Sequence, residues 1–344
     1  MSDSIRYGIV GCSGVGNTHA RAVENAEGAD LVACADVVRE AADRFAEEHD
    51  VPAAFTDPAT MVEDADVDAV SVCTPSGTHA DVVVELAAVG AHVLCEKPLD
   101  VYADRVNEML AAVDDAGVTL AGVFQRRFEP DVRREKRAIE DGELGTPIFG
   151  DTAVKWFRPQ SYYDSGGWRG TRDMDGGCLM NQGIHEIDKL QWLMGGVESV
   201  AAVTDTLARD LDCEDTAAIS LRFENGALGT IAATTAVKGG TDRTELNGTE
   251  GTIALGESEI TDFRIGTGEE SMYSAETESR EVEGDPHPCG TGHEGVVQDF
   301  VDAVREGRDP EVPAREAREA VDVILAAYRS AETGEWVALD ELRE

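Results

Sequence analysis

The feature that most constrains this chain is a change of grammar after residue 123. Before it, short apolar runs at 5–10, 31–35, 69–73, 92–95 and 119–123 alternate with helical stretches at 18–26, 39–49, 79–89 and 103–116. Strands separated by helices require crossovers, and crossovers of this kind build a parallel sheet. The runs are apolar throughout, as strands covered by helices on both faces must be. Residues 1–123 are therefore expected to form an α/β domain with a parallel sheet.

After 124 the order differs. A charged helix at 129–140 precedes Gly145-Thr146-Pro147 and a strand-like stretch at 148–157, and then residues 158–177 show no period. From Val197 strand follows strand. Ala217, Ile219, Leu221 and Phe223 alternate with Ala218, Ser220 and Arg222, and strand-like runs at 226–237, 243–246 and 252–255 follow. Glu224-Asn225-Gly226 and Asn247-Gly248-Thr249 supply the turns. Residues 124–344 are expected to form an α+β domain on a large, mostly antiparallel, open-faced sheet. The acidic stretch 269–284 reads as a solvated excursion, and helices at 292–305 and 313–331 close the chain.

The formal charge is -40, from 69 acidic and 29 basic residues, and only five of the basic ones are lysine. Such a surface repels nucleic acid and anionic lipid, so neither is an expected partner. The acid is spread along the whole chain, which fits adaptation to a high-salt cytosol better than an interaction tail. No run of eighteen apolar residues occurs, and Met1-Ser2-Asp3-Ser4 lacks a signal-peptide pattern, so the expected location is the cytoplasm. Seven scattered cysteines without a CxxC pair fit a reducing compartment.

Gly11-Cys12-Ser13-Gly14-Val15-Gly16 follows the first strand and opens the first helix. In that context a glycine-rich turn cradles a pyrophosphate at a helix N-terminus, the fingerprint of a Rossmann domain. Ser13 replaces the middle glycine, with Gly14 beside it. Asp36 ends the second strand, twenty residues beyond Gly16. An acid there accepts ribose hydroxyls and favours NAD over NADP, although Arg39 could meet a 2′-phosphate; Asp36 as a mere cap for the following turn is the competing reading. Thr74 and Pro75, at the end of the 69–73 strand, are expected to border the cofactor, with Ser76 or Thr78 capping the next helix and His79 structural.

Glu96-Lys97-Pro98 follows the fourth run at the same sheet edge. An ammonium there can hydrogen-bond the oxygen of a reacting hydroxyl and stabilise a developing alkoxide. Farther on, Gly176-Gly177-Cys178-Leu179-Met180-Asn181-Gln182-Gly183-Ile184-His185-Glu186-Ile187-Asp188 reads as a helix start, in which Asn181 and His185 stand four apart on one face. A buried core histidine is the plain alternative. Arg158, Tyr162, Tyr163, Trp168 and Arg169 crowd the segment before it. Aromatics stack on sugar rings and arginine meets carboxylate or phosphate, yet a packed subunit-contact loop would look the same. His287, Cys289 and His293 match no standard zinc spacing, and no metal is expected.

The glycine-rich turn, Thr74-Pro75 with His79, Glu96-Lys97-Pro98, and Gly176-Gly177 through Asn181, His185 and Asp188 together resemble the glucose–fructose oxidoreductase/inositol dehydrogenase (Gfo/Idh/MocA) family. The resemblance spans nearly the whole chain. It implies hydride transfer between NAD(P) and a secondary alcohol or ketone of a sugar, cyclitol, uronate or nucleotide-sugar, in a homodimer or homotetramer. By the same resemblance His185 removes the hydroxyl proton and Lys97 holds its oxygen. Many members have aspartate where this chain has Asn181; an amide can orient substrate or fix the tautomer of His185 but carries no charge. Asp188 could orient His185 or be a surface acid. A redox-assisted hydrolase or epimerase with retained NAD is a second enzymatic reading, and a non-catalytic NAD-binding sensor or scaffold is a reading of another class.

Overall fold

The computed structural model describes residues 4–256, 258–270 and 274–343. The chain divides into two compact units, one formed by residues up to Gln125 with Pro288–Arg318, the other by Arg126–His287 with the residues from Glu319 onward.

The first unit runs β1 (Ile5–Val10), α1 (Val15–Asn25), β2 (Ala29–Ala35), α2 (Arg39–Glu48), β3 (Ala53–Phe55), α3 (Pro58–Ala65), β4 (Ala69–Val72), α4 (His79–Ala88), β5 (His92–Cys95), α5 (Ala103–Ala116) and β6 (Leu120–Gly122). Its six strands are all parallel, in the order β3-β2-β1-β4-β5-β6. That is the doubly wound order whose switch point lies between β1 and β4, where ligands gather outside the carboxyl ends of the strands. Burial fits the apolar pattern: Ile9, Val70, Val72, Val93, Leu94 and Cys95 are all sealed from solvent. β3 and α3 are additional to the elements expected from the sequence. Their signal was Asp57-Pro58, since the Asp57 side chain caps Thr60 N at 2.8 Å and Pro58 occupies the first turn.

The second unit begins with α6 (Pro130–Glu140), β7 (Pro147–Lys155) and the short α7 (Gln160–Asp164). A π-helical turn, Cys178–Gly183, leads into α8 (Ile184–Met194). Then come β8 (Val197–Asp205), β9 (Thr216–Phe223), β10 (Leu228–Thr234), β11 (Asp242–Gly248), β12 (Gly251–Gly256), β13 (Glu259–Glu270) and β14 (Ala275–Ser279). α9 (Gly292–Glu306) lies in the first unit, and α10 (Ala314–Thr333) and β15 (Val337–Ala338) end the chain.

These strands form a nine-stranded sheet in the order β14-β13-β12-β11-β7-β10-β9-β8-β15. Only the β7–β10 pairing is parallel; the rest are antiparallel. β9 alternates as expected, with Ala217, Ile219, Leu221 and Phe223 buried. α8 covers one face: a Cβ on Gly150 would come within about 3 Å of Met194 and Leu190, so β7 has no side chain there. Part of the stretch read as a solvated excursion is strand, since residues 275–279 form β14. β13 pairs with β14, whose five residues are all exposed; residues 271–273 within that stretch lie outside the described residues, as do Met1, Ser2 and Asp3. No helix among the described residues is long and apolar enough to cross a membrane.

Candidate active site

In the first unit, the turn after β1 is built for close approach. Gly11 has φ +100°, and a Cβ on it would sit 2.6 Å from the Cys73 carbonyl. A Cβ on Gly16 would stand 2.2 Å from the Gly11 oxygen. Both positions accept only glycine. Gly14, the residue before α1, also has positive φ, but a Cβ there meets nothing within 4 Å, and no side chain caps the helix. A helix start without a side-chain cap beside open space suits a pyrophosphate, and Ser13 in the middle position is exposed and obstructs nothing.

Asp36 directly follows β2 and is half-buried. Its Oδ2 accepts Cys12 N and its Oδ1 accepts Val38 N, both at 2.9 Å. The carboxylate thus shapes the turn itself, and each oxygen keeps a second lone pair for a ribose hydroxyl. Arg39 is paired with Asp43 at 2.9 Å and more than half exposed. At the β4 end, the Thr78 hydroxyl donates to Pro75 O at 2.7 Å rather than capping α4. Buried His79 lies 2.8 Å from both Thr74 O and Pro98 O, tying the two loops at the sheet edge. The Lys97–Pro98 peptide is cis, and Lys97 is partly buried.

Glu96, next to that lysine, is 6% exposed and lies in a hydrogen-bonded row. Its Oε1 is 2.9 Å from His19 Nε2 and 3.5 Å from His293 Nε2, and its Oε2 accepts Lys97 N at 3.2 Å. Burial alone would raise the Glu96 carboxyl, but the hydrogen bonds and charges of His19 and His293 outweigh it and hold the group well below the usual carboxylate range. His293 lies close to His287 and Cys289 in sequence, but the structure separates them. His287 packs at a tilt against Phe128, while Cys289 faces Asp302. Instead, ligand atoms of His19, Glu96 and His293 all lie within 4.8 Å of one another.

In the second unit, Gly176 and Gly177 lead into the π-helical turn that carries Asn181, and His185 follows in the first turn of α8. A Cβ on Gly177 would collide with the Glu214 carboxylate, whose Oε1 accepts Leu179 N at 2.8 Å. The sequence pattern promised a plain α-helix; the wider turn is of the kind that often marks functional sites. Asn181 and His185 are both half-exposed within this otherwise buried stretch.

Asn181 donates from Nδ2 to Asp175, and its Oδ1 accepts Gln182 Nε2 at 2.5 Å. Asp175 is buried and also accepts Gly170 N at 2.7 Å. Neither Asp175 nor Gln182 was singled out from the sequence. Gln182 Oε1 accepts Arg158 at 2.9 Å, and Arg169 donates to the Tyr162 hydroxyl at 2.8 Å. Both guanidiniums lie over the Tyr162 ring, and Arg169 also over Trp168. Tyr163 turns inward, where its hydroxyl donates to Thr235 at 2.8 Å. Asp188 is not a surface acid. It is fully buried in a two-point pair with Arg127, at 2.9 and 2.6 Å.

Residues 5–124 match the oxidoreductase family's NAD-binding Rossmann fold, and residues 136–339 match its C-terminal alpha/beta domain. The chain is 32% identical over 274 residues to the uncharacterized oxidoreductase YrbE of Bacillus subtilis, covering 78% of each chain. It is 29% identical to the myo-inositol 2-dehydrogenase of Thermotoga maritima, over 98% of this chain and 99% of that one. Among solved structures it resembles the WlbA dehydrogenase from Bordetella pertussis in complex with NADH and UDP-GlcNAcA. There the TM-score is 0.86 and the identity 32%, over 97% of this chain and 98% of the other.

Proposed function

We propose that this chain, which belongs to the Gfo/Idh/MocA oxidoreductase family, oxidises a secondary alcohol, or reduces the corresponding ketone, on a sugar that bears a negative charge. Its first unit is an NAD-binding Rossmann domain, and bound cofactor would accept the hydride in the oxidation or donate it, as NADH, in the reduction. The residues that would hold it are Gly11, Ser13, Gly14, Val15 and Gly16 at the pyrophosphate, Asp36 at the ribose, and Thr74, Pro75 and Glu96 along the sheet edge.

Lys97 donates a hydrogen bond to the oxygen of the reacting hydroxyl and stabilises it as negative charge develops. His185 takes the hydroxyl proton, the role for which imidazole is best suited near neutral pH. Asn181, oriented by Asp175, presents a fixed amide to neighbouring hydroxyls.

The observation that carries the charged-substrate reading is the pair Arg158 and Arg169 flanking Tyr162, one of them bonded to Gln182 beside Asn181. Two guanidiniums over one aromatic ring offer fork donors to a carboxylate or phosphate and a flat surface to a sugar. The WlbA relative, whose complex holds the nucleotide-linked sugar acid UDP-GlcNAcA, supports the same reading. Trp168 completes the aromatic wall. Exposed Val203 and Leu228, on the same face of the large sheet, support assembly into a homodimer or homotetramer.

The test is an NADH-absorbance screen of neutral sugars, inositols, uronates and nucleotide-sugars. Charged substrates should show the highest kcat/KM, and Arg158→Ala should raise KM for them while leaving neutral analogues unchanged. Neutral inositols outperforming every charged sugar would overturn the charge assignment. Lys97→Ala and His185→Ala should each abolish turnover with NAD affinity nearly intact.

A further inference from the structure

We propose that His19 and His293 are positioning residues for Lys97, acting through Glu96. The two imidazoles grip one carboxylate oxygen, and the other oxygen fixes the backbone from which the lysine side chain projects. The inference rests on the reading of Lys97 as the group that meets the substrate oxygen.

The row begins deep in the first unit. Tyr7 OH lies 2.8 Å from Ser71 Oγ, and the same Oγ lies 2.8 Å from His19 Nδ1. His19 Nε2 then reaches Glu96 Oε1 at 2.9 Å. Every contact has a donor: Tyr7 donates to Ser71, Nε2 of His19 donates to Glu96, and the contact between Ser71 Oγ and His19 Nδ1 can be filled from either side. His19 is fully buried, so its ring has no second orientation that water could repay. Glu96 Oε2 accepts the Lys97 amide at 3.2 Å. Burying a carboxylate is costly unless its oxygens are well supplied with donors, and on Oε1 His293 adds a second one from 3.5 Å.

Two distant parts of the chain therefore meet at the base of the lysine. His19 stands on α1, the helix that opens at the glycine-rich turn. His293 stands on α9, the segment that returns to the first unit nearly 200 residues after Lys97. Groups of this donor set can also hold zinc, which binds His and Glu at about 2.0–2.2 Å. The contacts to Glu96 are those of direct hydrogen bonds, however, and Ser71 and Lys97 N complete them without a metal. The network thus links the cofactor turn, the lysine and the returning helix.

The experiment compares the full-length protein with His293→Phe, His293→Gln, His19→Gln and Lys97→Ala, on the substrate identified by the screen above. Loss of the second donor lets the carboxylate and the lysine backbone shift, and small misplacements of reacting groups cost up to about a hundredfold in rate. His293→Phe should lower kcat by about tenfold or more, with KM for NAD and substrate and the thermal midpoint close to wild type. His293→Gln keeps an N–H donor and should restore most of kcat. Wild-type kcat in both His293→Phe and His19→Gln, with Lys97→Ala inactive, overturns the positioning role alone. Loss of kcat that glutamine does not rescue and that tracks a lowered thermal midpoint overturns it as well. Inhibition by micromolar zinc that disappears in His293→Phe would make the trio a metal site instead. A Lys97→Ala variant with full turnover removes the catalytic reading of the lysine, and this proposal with it.

Discussion

Asp175 accepts the side-chain amide of Asn181, and this buried acid stands one hydrogen bond from the position where the family resemblance leads one to expect aspartate. The carboxyl group absent from position 181 is thus present beside it. Both Asp175 oxygens are in use, one toward Asn181 and the other toward Gly170 N. An amide has only one acceptor oxygen, so Asp175→Asn leaves a donor unsatisfied and should cost about 1–3 kcal/mol. Turnover should fall with it while NADH affinity stays unchanged. Urea unfolding and NADH fluorescence titration check the two halves, and a variant with wild-type stability and kcat would remove Asp175 from the site.

The glycines of the dinucleotide turn are unequal. Gly16→Ala forces a Cβ to 2.2 Å from the Gly11 oxygen, which the turn cannot yield without opening. NADH binding should weaken by at least about tenfold, or roughly 1.4 kcal/mol. Gly14→Ala meets no atom and suffers only the backbone strain of its positive φ, of order 1 kcal/mol in stability. Calorimetric titration of NADH into both variants should rank them in that order. Equal losses would mean that the turn is not held by contact.

The legible parts of this protein were those written in periodicity. The strand at 5–10 and the alternation of Ala217, Ile219, Leu221 and Phe223 have one physical solution each, and both occur. The glycine-rich turn and its acid were legible because backbone clearance and helix starts have residue signatures. What stayed hidden depends on tertiary choice. Among the acids of residues 158–177 nothing marks Asp175 as the one that turns inward, because that segment has no period. Asp188 sits at a helical position open to several roles, and only Arg127 decides that it is buried. The helical spacing of α9 specifies an apolar face but not the unit it covers, so the meeting of His293 with Glu96 could not be read from either residue.

Arg127 and Asp188 form a buried two-point ion pair, 1% and 0% exposed. Removing one member strands the other charge in an apolar setting, so Arg127→Ala should destabilise by about 3–5 kcal/mol. Replacing both, as in Arg127→Met with Asp188→Leu, should recover much of that loss, since the desolvation of two ions is relieved together. A double-mutant cycle by denaturant unfolding measures the coupling. Additive single effects would show that the pair does not act as a unit.

Charge repulsion should make the fold salt-dependent. With a formal charge of -40, exposed acids repel over about 10 Å at 0.1 M salt and only about 3 Å at 1 M. The urea midpoint should rise between 0.1 M and 2 M KCl. A midpoint unchanged or lower in molar salt would remove the high-salt reading of the composition.

Stability should also fall as the pH rises above the acidic range, because two buried glutamates prefer to be neutral. Burial pushes Glu135 up to about 8, with Lys189 pulling it down and Glu186 pushing it up. Burial likewise raises Glu214 to about 7, against hydrogen bonds from Leu179 N and Tyr328. In the unfolded chain both titrate near the ordinary glutamate value of about 4.3. Below that pH both states are protonated and the groups are neutral to stability. From there to about 8 the native state holds more protons than the unfolded state, so unfolding free energy declines as pH rises. The decline is roughly 1.4 kcal/mol per pH unit for each group within its own window. Glu135→Gln removes the wider of the two windows. Its urea-unfolding free energy should exceed that of the wild type at pH 8.5 and approach it at pH 5. Parallel curves for the two proteins from pH 5 to 9 would show that Glu135 is ionised in the fold throughout.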